Sequence, residues 1–142
     1  GTHYNLFKVT GSIKIHGIAA HVTTLIPGTN SDLNLELYSA SGTGETVDIT
    51  ASGVDVYNFV VGATLVKNDV ASAELDGTNP VAQPRVIENS NYRSPDVPIV
   101  LVADPTNDTY IQAVYTVALA SGAMHWHVEW SPITDNGFLE AV

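Results

Sequence analysis

The sequence contains no cysteine. Disulfides, thiolate metal sites and a cysteine nucleophile are therefore excluded. It is also poor in charge. Only 14% of its 142 residues are Asp, Glu, Lys or Arg, against about a quarter in an average soluble domain. Basic residues are the scarcest: five Lys plus Arg face fifteen Asp plus Glu, a net charge of −10. A surface of that sign repels phosphate backbones, and the counterion release that drives nucleic-acid binding would be unfavourable. No basic run with interleaved aromatics is present. The expectation is no nucleic-acid partner and, because anionic lipid would repel the same exterior, no membrane partner. No apolar run approaches the roughly 20 residues of a transmembrane helix. The chain opens at Gly1 without Met and without a charged-then-apolar leader, as a trimmed chain would.

Catalytic signatures are missing as well. There is no G-x-S-x-G and no workable Ser/His/Asp order. "GTGET" (Gly42 to Thr46) lacks the Lys of a P-loop and opens no helix. The carboxylates are spread along the chain, and a glycosidase needs a pair at a defined separation that spacing in sequence does not supply. The expectation is a protein that is not an enzyme and carries no cofactor.

What is present is 44% hydrophobic residues in a period of two, enough for one full core in a single domain over 1–142. "DLNLELYS" places Leu33, Leu35 and Leu37 on one face and Asp32, Asn34, Glu36 and Tyr38 on the other, the pattern of a half-buried strand. "LFKVTGSIKIHGIAAHVTTLI" (Leu6 to Ile26) puts Ile13, Ile15 and, after Gly17, further apolar residues in alternating register, with Gly11 and Gly17 interrupting as turns or bulges would. "VDITAS" and "VDVYNFVVGATLV" read as further strands, "VPIVLVAD" as a buried one, and "TYIQAVYTVALAS" with "GAMHWHVEWSPI" as a hairpin turning at Ser121 and Gly122. No stretch has full helical spacing and caps, and "VKNDVASAEL" (Val66 to Leu75) is the one candidate for a short helix. Between about 69 and 98 the composition changes. Five of the seven prolines fall here or just beyond (Pro80, Pro84, Pro95, Pro98, Pro105), which predicts a long irregular arm. Loops of that length are usually functional or held by a neighbour, so Pro80, Pro84, Arg85, Tyr92, Arg93 and Pro95 are candidate partner-binding residues. The expected fold is all-β: an antiparallel β-sandwich, or the jelly-roll variant of one, with a Pro-rich irregular arm.

"SGAMHWHVEWSP" (Ser121 to Pro132) is the densest stretch of chemistry. On a strand His125 and His127 share one face, about 7 Å apart. An H-x-H pair ligates Zn, Ni or Cu if further ligands converge, and His16, His21 and Glu129 are available. The alternative puts Trp126, Val128 and Trp130 in the core and turns His125, His127 and Glu129 to solvent or a neighbouring subunit. The second reading is adopted, with no metal expected and His125 and His127 kept as candidates. The two tryptophans at i and i+4 would otherwise form a sugar-stacking platform. "DPTND" (Asp104 to Asp108) offers hard oxygen ligands for Ca²⁺, but turn chemistry with Pro at its second position accounts for it more simply.

Two segments carry a family resemblance. "LFKVTGSIKIHGIAAHVTTLIPGTNSDLNLELY" (Leu6 to Tyr38) resembles the opening of a group of small tailed-bacteriophage structural proteins, head decoration or head fibre-like. In that group an "LF-VTG" is followed by an apolar strand, an "EVTT-I" stretch and "-NL-L"; His21 stands where the group has an acidic residue. "GAMHWHVEWSPITDNGFLEAV" resembles the group's ending, with Trp126 and Pro132 in the pattern and Trp130 in place of its usual aromatic. The span from about Gly42 to Pro98 carries no resemblance. The resemblance implies a virion component on the outer capsid surface, extracellular after release. It implies a homo-oligomer, by expectation a trimer, that binds the major capsid protein or another virion protein and clamps adjacent capsomers. A receptor- or carbohydrate-binding module of a head fibre or tail is the alternative.

Overall fold

The computed structural model describes residues 1–28, 30–50, 53–67, 75–78 and 99–142. The candidate arm residues Pro80, Pro84, Arg85, Tyr92, Arg93 and Pro95, and most of the span expected to be a short helix, lie outside the described residues. Among those that are described there is no helix. The strands are β1 (Thr2–Thr10), β2 (Ser12–Thr24), β3 (Asp32–Ser39), β4 (Glu45–Asp48), β5 (Val54–Asp55), β6 (Thr64–Val66), β7 (Asp76–Thr78), β8 (Ile99–Val102), β9 (Thr109–Tyr115), β10 (Ala123–Pro132) and β11 (Phe138–Ala141).

Every pairing between them is antiparallel, and they form two sheets packed as a sandwich. One sheet runs β11-β1-β9-β3-β4, with β5 also on β3. The other runs β10-β2-β6-β7, with β8 also on β2. The inner faces supply Val9, Ile13, Ile15, Ile18, Leu33, Leu35, Leu65 and Ile111, all essentially without exposure. Fully burying such a side chain is worth about 1.5–3 kcal/mol. Leu37, expected beside Leu33 and Leu35, is half-buried and packs at the rim of this core.

The 13-residue β2 steps register against β10 at two places, Thr23 and His16, and the step at His16 decides which side chains face the core. Ile13 and Ile15 face inward at odd positions, whereas Ile18, Ala20 and Val22 face inward at even ones. The pairing with β10 steps from Glu129↔Gly17 to Trp130↔Ile15, so His16 is the extra residue. A similar step between Asn5 and Phe7 leaves Leu6 extra in β1. Gly11, at φ 60°, carries the chain from β1 in one sheet to β2 in the other. A Cβ there would lie 2.5 Å from Asn136 Oδ1 and 2.6 Å from Thr134 Oγ1, so the tight corner needs glycine both for its conformation and for space.

Three expectations are corrected. β9 and β10 do not form a hairpin: they lie in opposite sheets, because both edges of β9 are occupied by β1 and β3. Their connection is too long for a tight turn. Ser31 latches it, donating from Oγ to Val117 O (2.8 Å) and accepting from Val117 N (3.2 Å). β8 is not a buried strand. Leu101 points inward, while Val100 and Val102 are 52% and 62% exposed on the outer face. "VDITAS" is not a continuous strand either: β4 ends at Asp48, and Thr50 turns under to accept Leu35 N–H at 2.9 Å through its buried hydroxyl.

Deleting His16 would remove the bulge and turn either the Ile13/Ile15 pair or the Ile18/Ala20/Val22 set away from the core. The expected result is loss of a cooperative thermal transition, whereas His16→Ala, at an exposed site, shifts stability by less than about 1 kcal/mol. Leu35→Ala should cost about 2–5 kcal/mol in denaturant unfolding.

Candidate functional site

β10 is an edge strand that pairs with β2 along its whole length. Its side chains alternate: His125, His127 and Glu129 are exposed, while Met124, Trp126, Val128 and Trp130 are half-buried against the core. The tryptophans thus point inward but are not sealed, because no strand lies beyond β10 among the described residues. Across the strand, His21 sits directly opposite His125. Its ring meets His125 edge-to-face with centroids 5.3 Å apart and stacks on His127 at 5.8 Å. The bulge at His16 and Gly17 is what turns His21 outward to meet them. His16 and Glu129 do not join: His16 Nε2 hydrogen-bonds Ser131 Oγ at 2.9 Å, and Glu129 stands opposite Gly17. As the rings are placed, no three His, Asp or Glu side chains among the described residues converge on a metal-sized point.

Strands β2, β6, β8 and β10 contain a single carboxylate, Glu129, and the fifth strand, β7, contains Asp76. The other sheet contains Asp32, Glu36, Glu45, Asp48, Asp55 and Glu140 in its strands. The outer faces of β2, β8 and β10 therefore combine Lys14, four of the five histidines and the exposed Val100 and Val102, with Glu129 the one carboxylate in those strands.

The second feature is a cleft of about 450 Å³ on one side of the sandwich. It forms because the two edge strands on that side differ in length. β11 pairs only with Phe7 to Thr10 of β1, and Val142 N–H reaches Leu6 O at 3.2 Å. At that end Trp130 of β10 closes on Phe138 of β11, edge-to-face at 5.8 Å. Towards Thr2 no strand covers β1 on that side among the described residues, and the sheets stay apart. Tyr4, Leu6, Tyr115, Leu119, Met124 and Trp126 line the opening, and no charged residue among those described does. Tyr4 packs edge-to-face on Tyr115 at 5.8 Å. Tyr115 is 7% exposed, and among the described residues its hydroxyl has as partner the weak acceptor Met124 Sδ, at 3.9 Å. Burial, followed by the nearby Tyr4, pushes its pKa up to about 12. The sugar platform expected of Trp126 and Trp130 is divided: Trp126 lines the cleft, and Trp130 is taken up by Phe138.

The outer face of the six-stranded sheet is polar and densely bonded. His3 Nδ1 lies 3.2 Å from the buried Glu36 carboxylate, Gln112 donates to Asn5 at 2.6 Å, and Lys8 reaches Asp108 at 2.6 Å. The "DPTND" turn is an anchor rather than a cation cage. Asp104 Oδ1 accepts from Thr106 N–H (2.8 Å), Thr106 Oγ1 (2.9 Å) and Asn107 N–H (3.1 Å). Its Oδ2 accepts from Ser39 Oγ (2.7 Å) and Asn107 Nδ2 (3.0 Å). Donors aimed at both oxygens would repel a cation, and they hold this carboxyl far below the ordinary carboxylate range, with the Ser39 bond the largest cause.

The chain matches no protein-family model, no curated protein and no solved structure.

Neither the cleft nor the acid-poor sheet was read from the sequence. The cleft depends on a length mismatch between strands distant in the chain. The absence of carboxylates from "SIKIHGIAAHVTT" and "AMHWHV" was countable, but only pairing shows that these segments are neighbours.

Two pH effects follow. Asp104→Asn should lower the melting temperature at neutral pH. The deficit should shrink as pH falls below the ordinary carboxyl value of 3.8, because a depressed folded-state pKa stabilises above the unfolded value and is lost towards the folded one. Tyr115 has the opposite sign. Its raised pKa stabilises below pH 10 and is lost as pH climbs to about 12. Ultraviolet titration should therefore show one tyrosine ionising late, together with unfolding, and Tyr115→Phe should remove that component.

Proposed function

We propose that this protein is a non-enzymatic structural subunit of a tailed-phage particle, a decoration or cement protein that stabilises the head by binding across capsomers. The observation that carries this reading is the acid-poor outer face of β2, β6, β8 and β10. A chain of net charge −10 resists packing against copies of itself or against an acidic lattice, unless the contacting face is relieved of its carboxylates. This face has one, and it presents the exposed Val100 and Val102 beside Lys14. Depletion of charge with exposed apolar side chains is the composition of an interface core. The resemblance of the Leu6–Tyr38 and C-terminal segments to phage structural proteins supports the same reading, as does the Pro-rich composition of residues 69–98.

In this proposal the five-stranded sheet docks on a neighbour and the partner-binding arm reaches an adjacent capsomer. The subunit is a homotrimer on the outer surface of the capsid, and its work is done by interface area alone. The cleft favours a second reading, a receptor- or carbohydrate-binding module of a head fibre or tail, because it is an aromatic-lined opening of ligand size.

Light scattering should give three times the 15.1 kDa chain mass, unchanged by chelator. Val100→Glu with Val102→Glu should reduce it to the monomer mass and abolish co-sedimentation with capsids, at an unchanged melting temperature because both side chains are exposed. A variant that still assembles and binds would overturn the docking face. Loss of the trimer on chelation would instead make the His21, His125 and His127 cluster a structural metal site.

A further inference from the structure

The open side of the sandwich bears on a different activity from lattice binding. The cleft is bounded by Tyr4 and Leu6 of β1, Tyr115 of β9 and Met124 and Trp126 of β10, with Leu119 on the connecting segment. Its volume of about 450 Å³ lies within the range of about 300–1,000 Å³ that small-molecule sites occupy. Three observations restrict what fits.

The first is charge. None of the charged residues among those described lines the cleft. An ion entering it would lose hydration and gain no counter-charge, so the occupant is uncharged. The second is the lining. Two tyrosines, a tryptophan and a methionine offer ring faces, ring edges and polarisable sulfur, the surfaces on which a flat ring packs best. The third is the Tyr115 hydroxyl. A phenol is both donor and acceptor, and when buried it normally finds an oxygen or nitrogen partner. This one is held in a residue 93% removed from solvent, and among the described residues its partner is a thioether sulfur at 3.9 Å. It is a donor in need of a better acceptor, at the edge of an open cavity.

We infer that this cleft is a binding site for a small uncharged molecule that combines an apolar ring with a hydrogen-bond acceptor such as a carbonyl oxygen. The ring lies among Tyr4, Trp126 and Met124, and its acceptor takes the Tyr115 hydroxyl from the sulfur. The site is complete within one chain. It does not require the five-stranded sheet's outer face, which points the opposite way from these inward side chains, so it stands or falls separately from the docking role.

The test uses the full chain and the neutral naphthalene ketone dye prodan, whose emission moves to the blue and brightens when it leaves water. Wild-type protein should give saturable, blue-shifted emission. Tyr115→Phe removes the donor at nearly constant volume and should weaken binding roughly three- to tenfold, the worth of one hydrogen bond. Ala123→Trp places bulk at the mouth from an exposed position and should abolish the signal, while an unchanged melting temperature shows that the sandwich is intact. Three outcomes would overturn the inference: no saturable emission with wild type, undiminished binding in Ala123→Trp, or equal affinity in Tyr115→Phe. Loss of the trimer in the Val100/Val102 variant with dye binding intact would leave this site standing and the docking face confirmed as separate.

Discussion

The fold depends on one extra residue in its longest strand. Side chains in a strand alternate with a period of two, so Ile13 and Ile15 cannot share a face with Ile18, Ala20 and Val22 unless a residue is inserted between the sets. His16 is that residue. The bulge also adds local twist, which lets a 13-residue strand follow the curved core. Three strands of the five-stranded sheet are registered directly on β2, β10 along one edge and β8 and β6 in tandem along the other, and β7 joins through β6. Because the bulge sets which side chains face out beyond Gly17, it also decides that His21 stands beside His125 and His127 rather than in the core. The core and the outer face of this sheet are thus fixed by the same insertion.

The second sheet is built on the same plan. β3 has one long neighbour, β9, and an opposite edge covered piecewise by β4, by the turned-under Thr50 and by β5. Short strands in tandem cover a long edge without themselves presenting a long one, which limits unwanted pairing. β10 is the exception, with ten residues and an uncovered edge among the described residues. Its half-buried tryptophans follow from that exposure. Trp130 finds Phe138 because β11 lies across from it, and Trp126 has no such cover because β11 is four residues long. The cleft is thus a consequence of strand lengths, and its polarity follows from which inward side chains happen to line the uncovered stretch.

Much of the architecture was legible in sequence because alternation is a local signal. Leu33 and Leu35, the interruptions at Gly11 and Gly17, the antiparallel all-β class and the outward histidines of β10 all come from residues two or three apart. What was not legible is long-range. "TYIQAVY" and "GAMHWHVEW" read as hairpin partners because they are consecutive, yet β9 has no free edge to offer. "VPIVLV" reads as buried because it is uniformly apolar, yet Val100 and Val102 face outward. The cluster of His21 with His125 and His127 needed the β2–β10 register, and the cleft needed the mismatch between β10 and β11. The candidate site was legible as a list of residue types; its geometry depends on residues about a hundred positions apart.

Charge distribution links the fold to the proposed docking role. A sandwich has two outer faces, and solubility requires only that the total charge be large. This chain meets that requirement asymmetrically. The six-stranded sheet holds six carboxylates in its strands, and the five-stranded one holds two, Asp76 in β7 and Glu129 in β10. If the acids were spread evenly, any face brought against a second acidic body would carry several of them, and each like-charge contact would oppose association. Concentrating them on one sheet leaves the other able to approach a neighbour while the far side stays charged and soluble. The same separation explains why low overall charge does not by itself mark an interface. The relevant quantity is how charge is divided between the two faces, and strand pairing, which brings β2 beside β10 and β8, makes that division.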